Sequence, residues 1–323
     1  MADSTPTAPT APTSAGFDAF FAGSKAVDSY GKPLRLYHGT VNDFTVFDSS
    51  RSNVDGYFGA GFYFSNNTND IAESYATRNG RDFKARVAIE IEARCDDSET
   101  HPDLSDTDIE SEVLARMAQN DGTTMPVYLA IKNPFLIGGA HETYLDFDDG
   151  FSGNGEFGVK TGVLQTFIES LKFVMGGYEA MREFDDLLAA LQEDELIEAP
   201  GITSSVLIDA VNKLIEPAIT NDDGDIVNSE IIRETVERCG FDGIIDRDVF
   251  RHFGAQRDSY GRSTPGMPGM TPGTVHYIVF KPEQIKSAIG NNGDFDVANP
   301  DIRFSMADLD EDAAEHNTEA PCP

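Results

Sequence analysis

The chain has 323 residues, 56 of them Asp or Glu against 24 Lys or Arg, for a net charge of −32; hydrophobic residues make up 40%, with 22 Phe, 10 Tyr and no Trp. The apolar fraction suffices for a substantial core, whereas the charge disfavours a phosphate backbone as partner and fits a surface kept hydrated in high salt. No apolar run approaches the eighteen or so residues of a membrane span, and Cys95, Cys239 and Cys322 lack CxxC spacing, so neither a disulfide framework nor a metal site is expected and a reducing cytoplasm fits.

Residues 1–16 are rich in Ala, Ser, Thr and Pro and read as a disordered tail; they lack the basic and apolar regions of a secretory signal. An amphipathic helix is expected at 17–24. A turn and strand follow at 31–40, and a glycine-punctuated strand at 58–65. A helix over 68–79 is capped by Thr68 or Asn69. The polar stretch 96–124 holds at most one helix, near 111–119. A strand at 125–137 ends at the Asn133-Pro134 turn signal, and 146–160 is a Gly- and Asp-rich loop. From about 161 to 239 the apolar period turns helical (Val163, Phe167, Leu171 and Val174, then Val206, Ile208, Val211 and Leu214), which reads as a helical insertion. A strand opens at 240–245, a Gly/Pro/Ser/Met loop occupies 258–274, and a strand with a short following segment covers 274–288. The end, 306–323, is an acidic disordered tail. Strands thus flank a helical block without β-α-β alternation or a GxGxxG turn, which predicts an α+β fold.

Several residues could carry chemistry. Gly39 in His38-Gly39-Thr40 closes a strand where a bare backbone would let a planar ligand approach, pairing its N–H and C=O with a carboxamide. The His38 imidazole could donate to a ribose hydroxyl. Tyr63 and Tyr75 could sandwich a flat cationic ring. Each feature alone reads equally as a strand cap or a core tyrosine.

Together and in order, "YHGT", "GFYFS", "AESYA" and "YIVF" resemble the H-Y-E class of ADP-ribosyltransferases, which includes the poly(ADP-ribose) polymerases and diphtheria-like toxins. The segments "SKAVDSYGKPLRLYHGT", "PVYLAIKNP", "GFDGII" and "YIVFKPEQIKSAIGNNGDFDVANPDIRFS" are similar to the transferase-like domains of bacteriophage polyvalent and virion proteins. The resemblance spans 17–305 and implies a split antiparallel β-sheet core carrying the insertion. It implies NAD as substrate, with His38 on the adenosine ribose, the Gly39 backbone at the nicotinamide carboxamide, Thr40 among the NAD-binding residues, and Tyr63 and Tyr75 stacked on the ring. The class has a glutamate immediately before the Tyr-Ile-Val run, and here that position is His276. Three outcomes are open: His276 serves as a weaker helper, a carboxylate such as Glu283 or one of the 246–248 turn fills the role, or NAD is bound without turnover. Protonation of His276 would oppose the developing cation and set a pH response.

Other motifs are expected to be structural. Glu90-Ile91-Glu92 has ExE spacing without the Ser-Thr-Ser strand that arginine-modifying transferases place before it. The loop from Asn221 to Glu230 nearly fits a calcium loop, but Ile219 stands at its first ligand position. Asp242 and Asp246 are expected as turn residues, and His252 on a solvated face. The reading is a mono-ADP-ribosyltransferase encoded by a phage or mobile element, acting on a host protein in the host cytoplasm. The alternative is a virion-associated NAD-binding protein, and a nucleic-acid acceptor is disfavoured by charge.

Overall fold

A computed structural model describes residues 15–40, 44–49, 52, 57–76, 111, 115, 122–146, 163–175, 201–215, 228–253, 270–289 and 301–302. Both tails (apart from Ala15 and Gly16, which are helical), Glu90 and Glu92, most of the calcium-like loop and most of the 258–274 loop lie outside them.

Seven strands form one sheet. They are β1 (Leu36–Thr40), β2 (Phe62–Ser65), β3 (Thr123–Leu129), β4 (Pro134–Ile137), β7 (Gly243–Asp246), β8 (His276–Val279) and β9 (Ile285–Ser287), in the order β4-β7-β8-β2-β1-β3-β9. Two more, β5 (Tyr144–Asp146) and β6 (Gly201–Thr203), pair separately. The helices are α1 (Ala15–Phe21), α2 (Thr68–Ser74), α3 (Val163–Met175), α4 (Ser204–Ile215), α5 (Asn228–Arg238) and α6 (Val249–Phe253). The α+β class holds. The sheet is mixed, however, because β4 and β7 run parallel while the other pairings are antiparallel.

The strand expected over 125–137 is two strands at opposite ends of the sheet, β3 beside β9 and β4 beside β7. The break has a specific anchor. The Asp242 carboxylate accepts from the Lys132 and Asn133 N–H groups, both at 2.8 Å, so this turn is bonded to the start of β7. Pro134 opens a strand there instead of ending one, as suits a residue without an N–H to donate. The α2 cap is Asn67, whose side chain accepts from the Asn69 and Asp70 N–H groups, and not Thr68 or Asn69. A β-region residue just ahead of the first helical turn is where an N-cap belongs.

Side chains alternate across the sheet and feed two cores. One face carries Phe62, Phe64, Val127, Leu129, Ile245, Tyr277 and Val279 with Leu36, Phe47 and Ile302. The other carries Phe135, Ile137, Ile244 and Ile278, packed against Phe167, Leu171, Leu207, Ile208, Val211, Ile232 and Val236 of α3, α4 and α5. The helices of the block read as an insertion therefore wall this second core, and the strand β6 lies among them. At the β3 end, Phe17 and Phe21 of α1 pack edge-on against Tyr128 at 5.2 and 5.8 Å.

Candidate active site

The site begins where β1 and β2 part. The Ala288 N–H donates to the Pro126 carbonyl at 2.9 Å, so Pro126 turns its carbonyl toward β9 and away from β1. Backbone groups alternate along an antiparallel strand. Tyr37, opposite Pro126, and Gly39, two residues on, therefore direct N–H and C=O toward β2. Continuing the register would set Gly39 against Tyr63, but the pairing between β1 and β2 stops at Tyr37↔Ser65. Instead the His38 ring reaches into the seam and its Nδ1–H donates to the Tyr63 carbonyl at 2.9 Å. Gly39 is left presenting one donor and one acceptor to the seam, the complement of a primary carboxamide.

That hydrogen bond settles the tautomer, because a carbonyl only accepts. In a neutral ring with this tautomer Nε2 is an acceptor. The ring packs against Phe47 and Phe64 at 5.1 and 5.4 Å.

The glycine at 39 has a second reason. A Cβ there would lie 2.7 Å from Tyr75 Cβ and 3.0 Å from the Ala76 nitrogen. The C-terminal end of α2 thus sits directly on β1, and Tyr75 is the helix C-cap. Tyr63 projects from β2 toward the same side of the sheet and joins the helical core; its hydroxyl donates to the Gly59 carbonyl at 2.6 Å. Both tyrosines flank the seam on the α2 face. Thr40 ends β1, buried, opposite Thr123.

His276 opens β8, opposite Ser65 on one side and Asp246 on the other. Directly opposed residues share a face, so Tyr37, Ser65, His276 and Asp246 form one transverse row beneath α2 and α6. His38 lies on the opposite face and joins the row only through the seam. His276 is 5% exposed, 6.1 Å from the Phe253 ring. Burial pushes its imidazole down to about 4, with the Asp70 carboxylate opposing. Burial thus favours the neutral imidazole at this position.

Asp70 is buried on α2 and spent on the chain leading into β8. It accepts from the Thr271 N–H at 3.0 Å, the Thr271 hydroxyl at 2.6 Å and the Thr274 hydroxyl at 2.5 Å. Burial works to raise its pKa, but these bonds outweigh it and hold the carboxyl below its usual value.

Two expectations about the 242–252 segment are corrected. Asp242 is a turn residue as expected, but Asp246 ends β7 wholly buried. Its Oδ1 accepts from the Asp248 N–H at 2.7 Å, and its Oδ2 has no hydrogen-bond partner among the described residues. Burial pushes this carboxyl up to about 7. His252 is not on a solvated face: its ring packs on Tyr57 at 4.7 Å, and burial lowers its pKa. Its neighbour Arg251 bonds Asp209 of α4 at 3.0 Å, which also accepts from the Tyr57 hydroxyl at 2.7 Å. Glu283 is exposed in the turn at the far end of β8 from His276, so it cannot serve the row. Ser65 and Asp70 were missed as site residues, and Asp246 was named only as one of the 246–248 turn carboxylates, since only the strand register assembles the row.

The family model described as "ADP-Ribosyltransferase in polyvalent proteins" matches residues 28–97 and 104–295. The chain belongs to this family. No curated protein matches it, and no solved structure does. The match takes in both the seam of this ADP-ribosyltransferase domain and the transverse row, together with the helices packed over them. Among the described residues no group of three or more His, Cys, Asp or Glu is placed to hold a metal ion, and no helix is long and apolar enough to cross a membrane.

Proposed function

We propose that this chain transfers a single ADP-ribose from NAD to a protein acceptor of the host, releasing nicotinamide, and that it does so as an H-Y-E-type enzyme of a phage or mobile element in the host cytoplasm. The observation that carries the reading is the seam. Gly39 offers a carboxamide-shaped donor and acceptor beside a histidine held by the Tyr63 carbonyl, in a chain of the ADP-ribosyltransferase family. The single Tyr37↔Ser65 join is the natural place for a split core. In the reaction, the bond from the ribose anomeric carbon to the nicotinamide nitrogen breaks, and its electron pair stays on the nicotinamide. The acceptor nucleophile bonds that carbon and loses its proton to water. His38 Nε2 would accept from a ribose hydroxyl, while Tyr63 and Tyr75 flank the leaving ring. The work is positional and electrostatic.

A second reading is a virion-associated protein that binds NAD without turning it over. Its support is the neutral, buried His276 where the class has a glutamate. The deciding experiment incubates the protein with NAD and host lysate, reading nicotinamide release and ADP-ribose label. Label on a discrete protein, lost in His38→Ala and Tyr63→Ala, is the expected result. NAD binding by calorimetry with neither release nor label would favour the binding protein, and no NAD binding would overturn both.

A further inference from the structure

Resting on the transferase reading, we propose that Asp246 supplies the negative charge that position 276 lacks, facing the ribose cation that forms as nicotinamide departs. It stands next to His276 in the transverse row, one strand spacing of about 4.8 Å further from the seam. A carboxylate there acts through space on a cation in a water-poor site, where charge is weakly screened.

The other carboxylates around the row are committed. Asp70 holds Thr271 and Thr274. Asp209 binds Tyr57 and Arg251, and Asp248 lies 3.4 Å from Arg251. Glu283 is at the wrong end of β8. Among the described residues, Asp246 alone of these keeps a wholly buried carboxyl oxygen with no partner. An orphan of this kind is costly to bury, a cost that a purely structural turn residue would have no reason to retain.

Its surroundings set when the charge is present. Burial and the Asp248 and Asp209 carboxylates resist ionisation; the Asp248 N–H and the Arg251 guanidinium favour it, and neutral His276 lies beside it. The charge therefore develops near neutrality, and turnover should rise with it.

The experiment measures nicotinamide release from saturating NAD between pH 5 and 9, with NAD affinity by calorimetry and folding by circular dichroism. Wild type, D246N, D246E and the double variant D246N/H276E are compared. Wild-type release should rise through one ionisation near pH 7. D246N should lose about 100-fold in rate and lose the pH step, while its NAD affinity stays within about threefold. D246E should keep the step, and H276E should restore release to D246N without it. Release within threefold of wild type in D246N, or an unchanged pH profile, would overturn the assignment while leaving the transferase reading standing. Joint loss of fold or NAD affinity in D246N and D246E would overturn it too, making Asp246 structural. A wild type that binds NAD but never releases nicotinamide removes the transferase reading and the assignment with it.

Discussion

At the scale of single residues, the row sets two neighbours against each other. His276 is depressed to about 4 and Asp246 raised to about 7, each by burial. The His276 contribution to stability is fully present above its unfolded value near 6.5 and is lost as pH falls toward 4. The Asp246 contribution is fully present below its unfolded value near 3.8 and is lost as pH rises through 7. Between about pH 4 and 6.5 the unfolded chain carries its proton on His276 and the folded chain on Asp246, so the two dependences oppose and nearly cancel. D246N should unmask a stability that rises with pH across that window, and H276Q one that falls, each by up to ~1.4 kcal/mol per pH unit. Urea melts of both variants at pH 4.5 and 6.0 check this, and parallel flat profiles would contradict it. At this scale His38, Gly39, Tyr63, Tyr75 and His276 could be singled out in the sequence because each belongs to a short ordered motif. Asp246 was misread because "GFDGIID" looks like a turn, and nothing local shows that its last aspartate ends a strand inside the core.

Among elements, α2 is the organiser. Its C-terminal end rests on Gly39 of β1, and its N-terminal end holds the approach to β8 through Asp70, through Asn67 to the Thr274 hydroxyl at 3.1 Å, and through Asn66 just before it to the Val275 N–H at 2.9 Å. One short helix thereby sets the spacing between the seam and the row. Asp70→Ala should cost about 2–3 kcal/mol at pH 7, since it removes hydrogen bonds to a charged acceptor. Because the Asp70 carboxyl is held below its usual value, that stabilisation is present above the unfolded pKa and lost as pH falls. The gap between variant and wild type in denaturant melts should therefore narrow from pH 7 to pH 3; a gap that widens would count against the clamp. No local stretch of the chain shows this link, because Asp70 and Thr271 are 201 positions apart. The sequence did mark the start of α2, through the polar run ahead of an apolar helix turn, but pointed to Thr68 or Asn69 where Asn67 caps it and carried the helix to 79 where it ends at Ser74.

For the whole molecule, the net charge of −32 dominates. Lowering salt from 1 M to 0.01 M lengthens screening from about 3 to about 30 Å, so self-repulsion should weaken the fold. Tm should rise by at least ~3 °C from the lower to the higher salt, the equivalent of roughly 1 kcal/mol in a domain of this kind; a flat or falling Tm would show that the acidic residues are locally compensated. The sequence by itself determined the α+β class, the strand motifs around the seam and the helical period that α3, α4 and α5 follow, because these depend on local periodicity and short ordered patterns. Tertiary structure alone decided that 125–137 divides between the two ends of the sheet, that α3, α4 and α5 wall one of its cores, and that Ser65, His276 and Asp246 stand side by side. Register and burial decide those points, and both are properties of which strands meet, which no local stretch of the chain encodes.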